Sequence, residues 1–405
     1  MKPSTSVNTH RALLINRRCA ALRIGALAAA GLSPLGASAQ AKTFKVGLVL
    51  PMTGPFASTG KQIDAGVRTY MAQYGASAGG VRIEVVVKDD AGVAANSRRI
   101  AQELVVNDKV NVLAGMGLTP IVLAVAPLAT QAKIPMIIMA AQTLSIMDAS
   151  PYLVRTSGTI PQVTVVIADW VAKNAIKKVV TLVPDFAPGY ETEKSFKDTF
   201  LKSGGEVIGE LRVPMRDPDF APFLQKARDL KPDALYVMLP AGPGAALIKQ
   251  FQERGMDKAG IRLIAHGAVS DDDNLHLTGD AALGLVSADY YSAAHPSEMN
   301  KKFTTDFGKL ANGDRPNYFG VAGYDGMHLV YEALKATRGA GDGDALLAAM
   351  KGLSFESPRG PVTLDRQTRD LTQNIYLRKV TKVNGQPWNV EFETVRQVSN
   401  TGVKE

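Results

Sequence analysis

Four apolar runs, FKVGLVL (44–50), VRIEVVVKD (81–89), VNVLAG (110–115) and IPMIIMAA (134–141), alternate with stretches such as IDAGVRTYMAQYG and SRRIAQELVVND, whose apolar residues recur at helical spacing. After Pro161 the alternation restarts with VVTLVP, GGEVIGELRV, DALYVMLP and IRLIAHG. Repeated strand–helix units require right-handed crossovers and parallel sheets with helices on both faces. The expected fold is α/β, with two doubly wound lobes built from mostly parallel sheets. The first sheet is expected within residues 41–160 and the second within 161–287. Beyond them, VAGYDGMHLVYEALKAT reads as a helix. GPVTLDRQTRDLTQNIYLRKVTKVNGQPWNVEF reads as an antiparallel hairpin turning at Asn384-Gly385, a favoured hairpin dipeptide. A tail that mixes helix and hairpin suits a chain crossing back between lobes. Residues 288–358 are therefore assigned to the N-terminal lobe and 359–405 to the C-terminal one. Two open α/β lobes place their ligand crevice at the carboxyl ends of the strands.

Arg17, Arg18 and Arg23 precede a short apolar run (24–32) and the small residues Ala37-Ser38-Ala39. This is the pattern of a secretory signal peptide, expected to occupy residues 1–39 and to direct the chain to the periplasm, with cleavage after Ala39 or Ala41. The run is shorter than the roughly 18 apolar residues of a membrane span. The leader carries five basic residues (Lys2, Arg11, Arg17, Arg18, Arg23) and no acidic one, so its removal takes the net charge from +8 to +3. Nothing in that balance suggests a nucleic-acid surface. Cys19, the single cysteine, lies inside the leader and follows Arg-Arg rather than an apolar lipobox. The mature chain is thus expected to lack disulfides and thiolate sites. Residues 110–132 contain no charged side chain, but Gly115, Gly117, Pro120 and Pro127 punctuate them. A buried parallel strand, then a turn and a helix, accounts for this better than a membrane helix.

Four strand-to-loop transitions face the expected crevice. The first follows VGLVL and contains Met52-Thr53-Gly54 and Thr59-Gly60. A phosphate loop is not supported there: five residues separate Gly54 from Gly60-Lys61, and Gln62 takes the place of the required Ser or Thr. The second is Gly115-Met116-Gly117-Leu118-Thr119-Pro120. Here Thr119 is expected to cap a helix whose free N–H groups attract an anion, with its hydroxyl also turned to the ligand. The third is Ala140-Ala141-Gln142-Thr143, small residues with an amide that both donates and accepts. The fourth, Asp185-Phe186-Ala187-Pro188-Gly189-Tyr190, offers aromatic rings to close over an apolar ligand. Catalysis has little to stand on: no HExxH, no GxSxG and no histidine pair at metal-binding spacing occurs. No cofactor, metal or enzymatic activity is expected. Asp271-Asp272-Asp273 reads as an acidic helix start in solvent, with a cation site as the alternative.

The order and spacing of VGLVLPMTGPFASTG, VVVKDDAG, GMGLTPIVLAVAP, IPMIIMAAQT, VPDFAPGYETEKSFKDTF, VAGYDGMHLVYEAL and SPRGPVTLD resemble the periplasmic solute-binding proteins of ATP-driven importers. The specific likeness is to the branched-chain amino-acid (leucine/isoleucine/valine-binding) family with the type I periplasmic fold. The resemblance covers nearly the whole mature chain. It implies a monomeric, two-lobed binder with a three-segment hinge that closes on a small carboxylate or amino acid. Such a binder presents its ligand to an inner-membrane ABC permease and its ATPase. A sensory protein of the same fold feeding a receptor is the alternative function, and a secreted enzyme the remote one. In the family, a hydroxyl residue after the third strand and backbone groups after the fourth hold the ligand's carboxylate; Thr119 and Ala140 match these positions. Gln142 replaces a threonine, Phe319 matches an aromatic, and the first turn lines the crevice near Thr59.

The departures narrow the ligand. The family's amino-acid binders hold the ammonium with a second-lobe glutamate, whose position matches Gly267, beside His266. Two tyrosines of those binders fall near Pro188 and Pro240, and a disulfide pair found in some members is replaced by Gly92 and Leu118. A buried ammonium without a counter-charge is costly. The expected ligand is therefore an aromatic or aliphatic carboxylate without an α-amino group, unless Asp271 swings in to replace the glutamate.

Overall fold

The computed structural model describes residues 42–215, 218–239 and 243–403. The expected leader with Cys19, and the Pro240 position, lie outside them.

Six strands form the first sheet: β1 (Thr43–Leu50), β2 (Ser77–Ala78), β3 (Val81–Asp89), β4 (Val112–Gly115), β5 (Met136–Ile138) and β6 (Leu153–Arg155), in the order β2-β3-β1-β4-β5-β6. All its pairings are parallel except β2 with β3. Nine strands form the second: β7 (Lys178–Pro184), β8 (Glu206–Val213), β9 (Ala234–Val237), β10 (Arg262–His266), β11 (Val286–Asp289), β12 (Ser354–Ser357), β13 (Gly360–Leu364), β14 (Leu371–Val383) and β15 (Gln386–Val398). Its parallel part runs β11-β10-β9-β7-β8, and β12 to β15 add antiparallel strands. The central strands are wholly buried, as expected of strands covered on both faces. In each sheet one strand has neighbours that leave in opposite directions, β1 between β3 and β4, and β7 between β9 and β8. The crevice of a doubly wound sheet opens at the carboxyl end of such a strand.

The helices relevant to the site are α1 (Ala57–Tyr74), α2 (Ala94–Val106), α3 (Thr119–Ala132), α4 (Ile160–Lys173), α5 (Ala187–Lys202), α6 (Ala221–Asp229), α7 (Gly244–Glu253), α8 (Glu298–Leu310), α9 (Tyr318–Ala336) and α10 (Gly343–Met350). Helices α8 and α9 pack on α1 of the first lobe, and α10 packs on α9. The chain passes between lobes three times: after β6, after β11 and after α10. Residues 354–357, placed in the first lobe by the sequence reading, pair with β13 in the second sheet. The Asn384-Gly385 turn joins β14 to β15 with Val383 opposite Gln386; both turn residues have positive φ, as a two-residue primed turn requires. The uncharged 110–132 segment folds as β4, a turn and α3. Among the described residues no helix is long and apolar enough to cross a membrane.

Buried guanidinium groups tie the crossings together. Arg155 Nε donates to Asp370 Oδ1 at 2.8 Å and its Nη1 to the Thr143 carbonyl at 2.8 Å. Arg359 Nε donates to Asp325 Oδ2 at 2.9 Å, its Nη1 to Gln373 Oε1 at 2.9 Å and its Nη2 to the Thr156 carbonyl at 2.7 Å. Each of these side chains is fully buried.

Candidate functional site

A cavity lies between the carboxyl ends of the two sheets and contains about 570 Å³ of space between protein atoms, its mouth included. Thr59, Thr119, Ala140, Ala141, Gln142, Phe186, Pro188, His266 and Phe319 all line it. Gly267 does not. A Cβ added to Gly267 would meet Asp289 Oδ2 at 1.9 Å and Arg378 Nη2 at 2.4 Å. The position thus points into the buried Arg378–Asp289 pair rather than the cavity, because the 3₁₀ turn from Gly267 to Ser270 begins there.

The first-lobe wall presents donors. Gly115 and Met116 take positive φ and lift the chain off β4, and a Cβ on Gly115 would meet the Val49 carbonyl at 2.5 Å. Helix α3 then starts at Thr119. Leu118, extended, occupies the cap position, so Thr119 does not cap the helix through its side chain as expected. Its hydroxyl instead shares a 2.8 Å hydrogen bond with the Thr143 hydroxyl. At this helix start Pro120 has no N–H and the Ile121 N–H turns back to the Leu118 carbonyl at 3.0 Å, so the Thr119 N–H and hydroxyl are the donors left to face an anion, helped by the helix dipole. The carbonyls of the facing loop are occupied elsewhere. Ala141 O accepts from Ser157 Oγ at 3.2 Å, Gln142 O from the Ile160 N–H at 3.0 Å, and Thr143 O from Arg155. Gln142 Nε2 is buried without a hydrogen-bond partner; it sits beside the Tyr290 hydroxyl, which donates to the Tyr318 carbonyl at 3.2 Å.

Helices α1 and α9 supply Thr59, Tyr318 and Phe319. Asn317 caps α9 by accepting from the N–H groups of Phe319 and Gly320, and its own N–H donates to Gln62 Oε1 at 2.9 Å. The second-lobe wall is apolar apart from one ring: Phe186, Pro188, Met238, Leu239 and Ala268 surround His266. That ring is 1% exposed. Its Nδ1 accepts from the Ala268 N–H at 3.2 Å, and its Nε2 has no partner. Burial, aided by Arg378, pushes its pKa down to about 3, so the ring is neutral.

The aspartate triplet differs most from expectation. Asp271 and Asp272 are buried, and Asp273 is nearly so. Asp272 accepts from Asn389 Nδ2 at 2.9 Å and the Ala293 N–H at 3.2 Å, while Asp271 accepts from Asn317 Nδ2 at 3.2 Å. Burial raises all three carboxyl pKa values. None of the three lines the cavity, nor does any other described Asp, Glu, Lys or Arg. The described residues contain no cluster suited to a metal ion. Bonds also join the lobes beside the cavity: Ser58 Oγ donates to Asp273 Oδ2, and the Leu144 N–H donates to Glu191 Oε1 at 3.1 Å.

Sequence reasoning missed Phe56, Ile160, Met238, Leu239, Ala268 and Tyr318. Met238 and Leu239 end the run DALYVMLP, and the carboxyl-end rule would have found them had it been applied to that strand.

Residues 43–386 match the profile of the periplasmic binding protein family. The chain belongs to that family. This periplasmic binding protein is 38% identical over 386 residues to a protein of Brucella abortus described as Leu/Ile/Val-binding protein homolog 6, covering 94% of this chain and 99% of that one. It also resembles a solute-binding protein of an ABC transporter from Rhodopseudomonas palustris, solved with 3,4-dihydroxybenzoic acid. There the identity is 56% and the TM-score 0.87, with 89% of this chain and 99% of the other covered. A second R. palustris solute-binding protein, solved with 4-hydroxybenzoate, is 38% identical with a TM-score of 0.86 and the same coverage. The binding protein thus has the two-lobed, type I architecture of ABC-transporter solute-binding components, a family of binders rather than enzymes.

Proposed function

We propose that this protein captures a single-ring aromatic carboxylate in the periplasm by closing its two lobes, and delivers it unaltered to an inner-membrane ABC permease and its ATPase. In this reading residues 1–39 direct export and the mature chain acts as a monomer. The lobes, near 41–160 with 288–353 and 161–287 with 354–405, move as two bodies.

The observation that carries the reading is the chemistry of the wall: Thr119 at a helix start on one side, an apolar slot on the other, and no acidic side chain for an ammonium. An anion at a helix start is stabilised by N–H groups and by the dipole. A buried ammonium here would go unpaired. Thr119, with the backbone N–H groups of Ala140 and Gln142, takes the carboxylate; the Ala141 N–H is held by the Met116 carbonyl. Phe186, Pro188 and Phe319 cover the ring, and Thr59 closes the edge. Asp271 gives no rescue for an amino acid, being held by Asn317 outside the cavity. The R. palustris relatives solved with hydroxybenzoates support the same ligand class.

Calorimetric titration of unfolded-and-refolded protein tests this. We expect 4-hydroxybenzoate to bind and leucine not to; the reverse result would restore an amino-acid assignment. In the same titration Thr119→Ala should weaken benzoate-type ligands about tenfold, the scale of one lost hydrogen bond to a charged group. Unchanged affinity would place the carboxylate elsewhere.

A further inference from the structure

We propose that His266 reads the far end of the ligand: its Nε2–H donates to a hydroxyl oxygen on the ring edge opposite the carboxylate, which makes the protein selective for hydroxylated over unsubstituted aromatic acids. The proposal rests on the reading above, that a single-ring carboxylate occupies the cavity.

The proton's position follows from hydrogen bonding. The Ala268 N–H donates to Nδ1, so Nδ1 carries a lone pair. A neutral imidazole then has its proton on Nε2. Burial keeps the ring from taking a second proton near neutrality. The result is a fixed donor at the end of β10. A buried donor left without an acceptor is expensive, and Nε2 is such a donor in this structure. Phe186, Pro188, Met238, Leu239 and Ala268, its second-lobe companions on the wall, offer no side-chain oxygen. Thr59, Thr119, Gln142 and Tyr318 carry oxygens on the wall, but none of them bonds Nε2, so its acceptor comes from what fills the cavity. The first lobe already claims the carboxylate at Thr119, so the ligand atom left for His266 lies across the ring. A phenolic oxygen accepts there while its own proton remains free to turn elsewhere. A bare ring edge would leave Nε2–H unpaired, and a site built to hydrogen-bond a hydroxyl strongly rejects the analogue that lacks it.

This arrangement also distributes the ligand between the lobes. The carboxylate belongs to the first and the hydroxyl to the second, so a hydroxylated acid gains its second bond only when the lobes close. Differential contact with the closed state is what shifts a conformational equilibrium.

The test is calorimetric titration of the refolded mature chain with benzoate, 3-hydroxybenzoate and 4-hydroxybenzoate, for the wild type, His266→Phe and His266→Gln. We expect the wild type to prefer at least one hydroxybenzoate over benzoate by about tenfold or more. His266→Phe should remove that preference, bringing the hydroxybenzoates down to benzoate whatever the change in benzoate itself, and His266→Gln, which keeps an amide donor, should retain part of it. Persistence of the preference in His266→Phe overturns the proposal. So does an equal loss for all three acids, which would put the carboxylate itself on His266. A second measurement needs no variant. With ¹⁵N-labelled histidine, the ring signals should report the Nε2–H form in free protein. The Nε2 proton should then move on adding the preferred hydroxybenzoate and stay near its free position with benzoate. An Nδ1–H form overturns the proposal. If the wild type binds none of the three acids, the aromatic-carboxylate reading itself fails. If it binds all three equally, only the role of His266 falls.

Discussion

Arg359→Met should lower stability by about 3–5 kcal/mol in a urea melt, the cost typical of removing one member of a buried ion pair. Arg359 lies in the turn between β12 and β13, just past the third crossing, and its guanidinium is shared among Asp325 of α9, Gln373 of β14 and the Thr156 carbonyl that follows β6. It also stacks 4.7 Å from the Tyr290 ring centroid. Burial already raises the Asp325 carboxyl pKa against the pull of Arg359. Without the guanidinium that carboxyl must either stay charged in an apolar site or take up a proton and give up its ion pair, and both are unfavourable. The pair Arg359→Met with Asp325→Leu should lose less than the single change, because no unpaired charge then remains. A single variant as stable as wild type would show that the crossing is held by its backbone ladder alone.

Gly66→Ala should cost about 3 kcal/mol, the upper end of the overpacking range, and should also weaken ligand binding. Helices α1 and α9 meet through glycines. A Cβ on Gly66 would lie 1.9 Å from the Gly320 carbonyl oxygen and 3.1 Å from the Tyr324 nitrogen, and one on Gly323 would lie 2.5 Å from the Ile63 carbonyl oxygen. These neighbours are backbone, which cannot rotate aside, so the helices must part. The affinity follows from where the helices begin: α1 carries Thr59 in its first turn, and α9 carries Tyr318 and Phe319. Gly308→Ala on α8 is the control. Its nearest neighbour is the Asp314 carbonyl at 3.9 Å, and alanine favours a helix interior over glycine. A denaturant melt with a parallel titration of 4-hydroxybenzoate checks both expectations.

The sheets were legible because their order follows from alternating periods. Strand ends led to the cavity because doubly wound sheets bind at one edge. That logic reached Thr119, Ala140, Gln142 and Phe186 before any coordinates did. It stopped wherever the deciding partner is distant in the chain. Asp271 to Asp273 read as a solvent-facing helix start, yet Ser58, Asn317 and Asn389 bury them from three separate segments. Thr119 read as a cap, but its hydroxyl found Thr143 instead. Gly267 and His266 are adjacent, and only the backbone turn after β10 decides which of them sees the cavity. No periodicity carries that information. The buried Arg155, Arg359 and Arg378 were equally invisible, since charged side chains normally signal surface.

The bonds between the lobes should make closure a proton-linked event. Glu191 and Asp273 accept from Leu144 and Ser58 across the divide, and burial raises both carboxyl pKa values. Around Glu191, Arg155 and the Leu144 N–H oppose that rise. Around Asp273, Ser58 and Asn317 oppose it, while Asp272 and Asp314 add to it. Parting the lobes returns both groups to water and to ordinary carboxylate behaviour. The closed state then holds protons more tightly than the open one, so acid favours closing, and the advantage is lost as the pH rises through the raised values. Affinity measured downward from pH 7 should therefore tighten until the ligand's own carboxylate begins to protonate, and the slope of log Kd against pH counts the protons taken up. A flat profile would mean that these two carboxyls are already dry when the lobes stand apart. With the expected slope, the acidity of the medium, as well as the amount of ligand, sets how much of the protein stands shut.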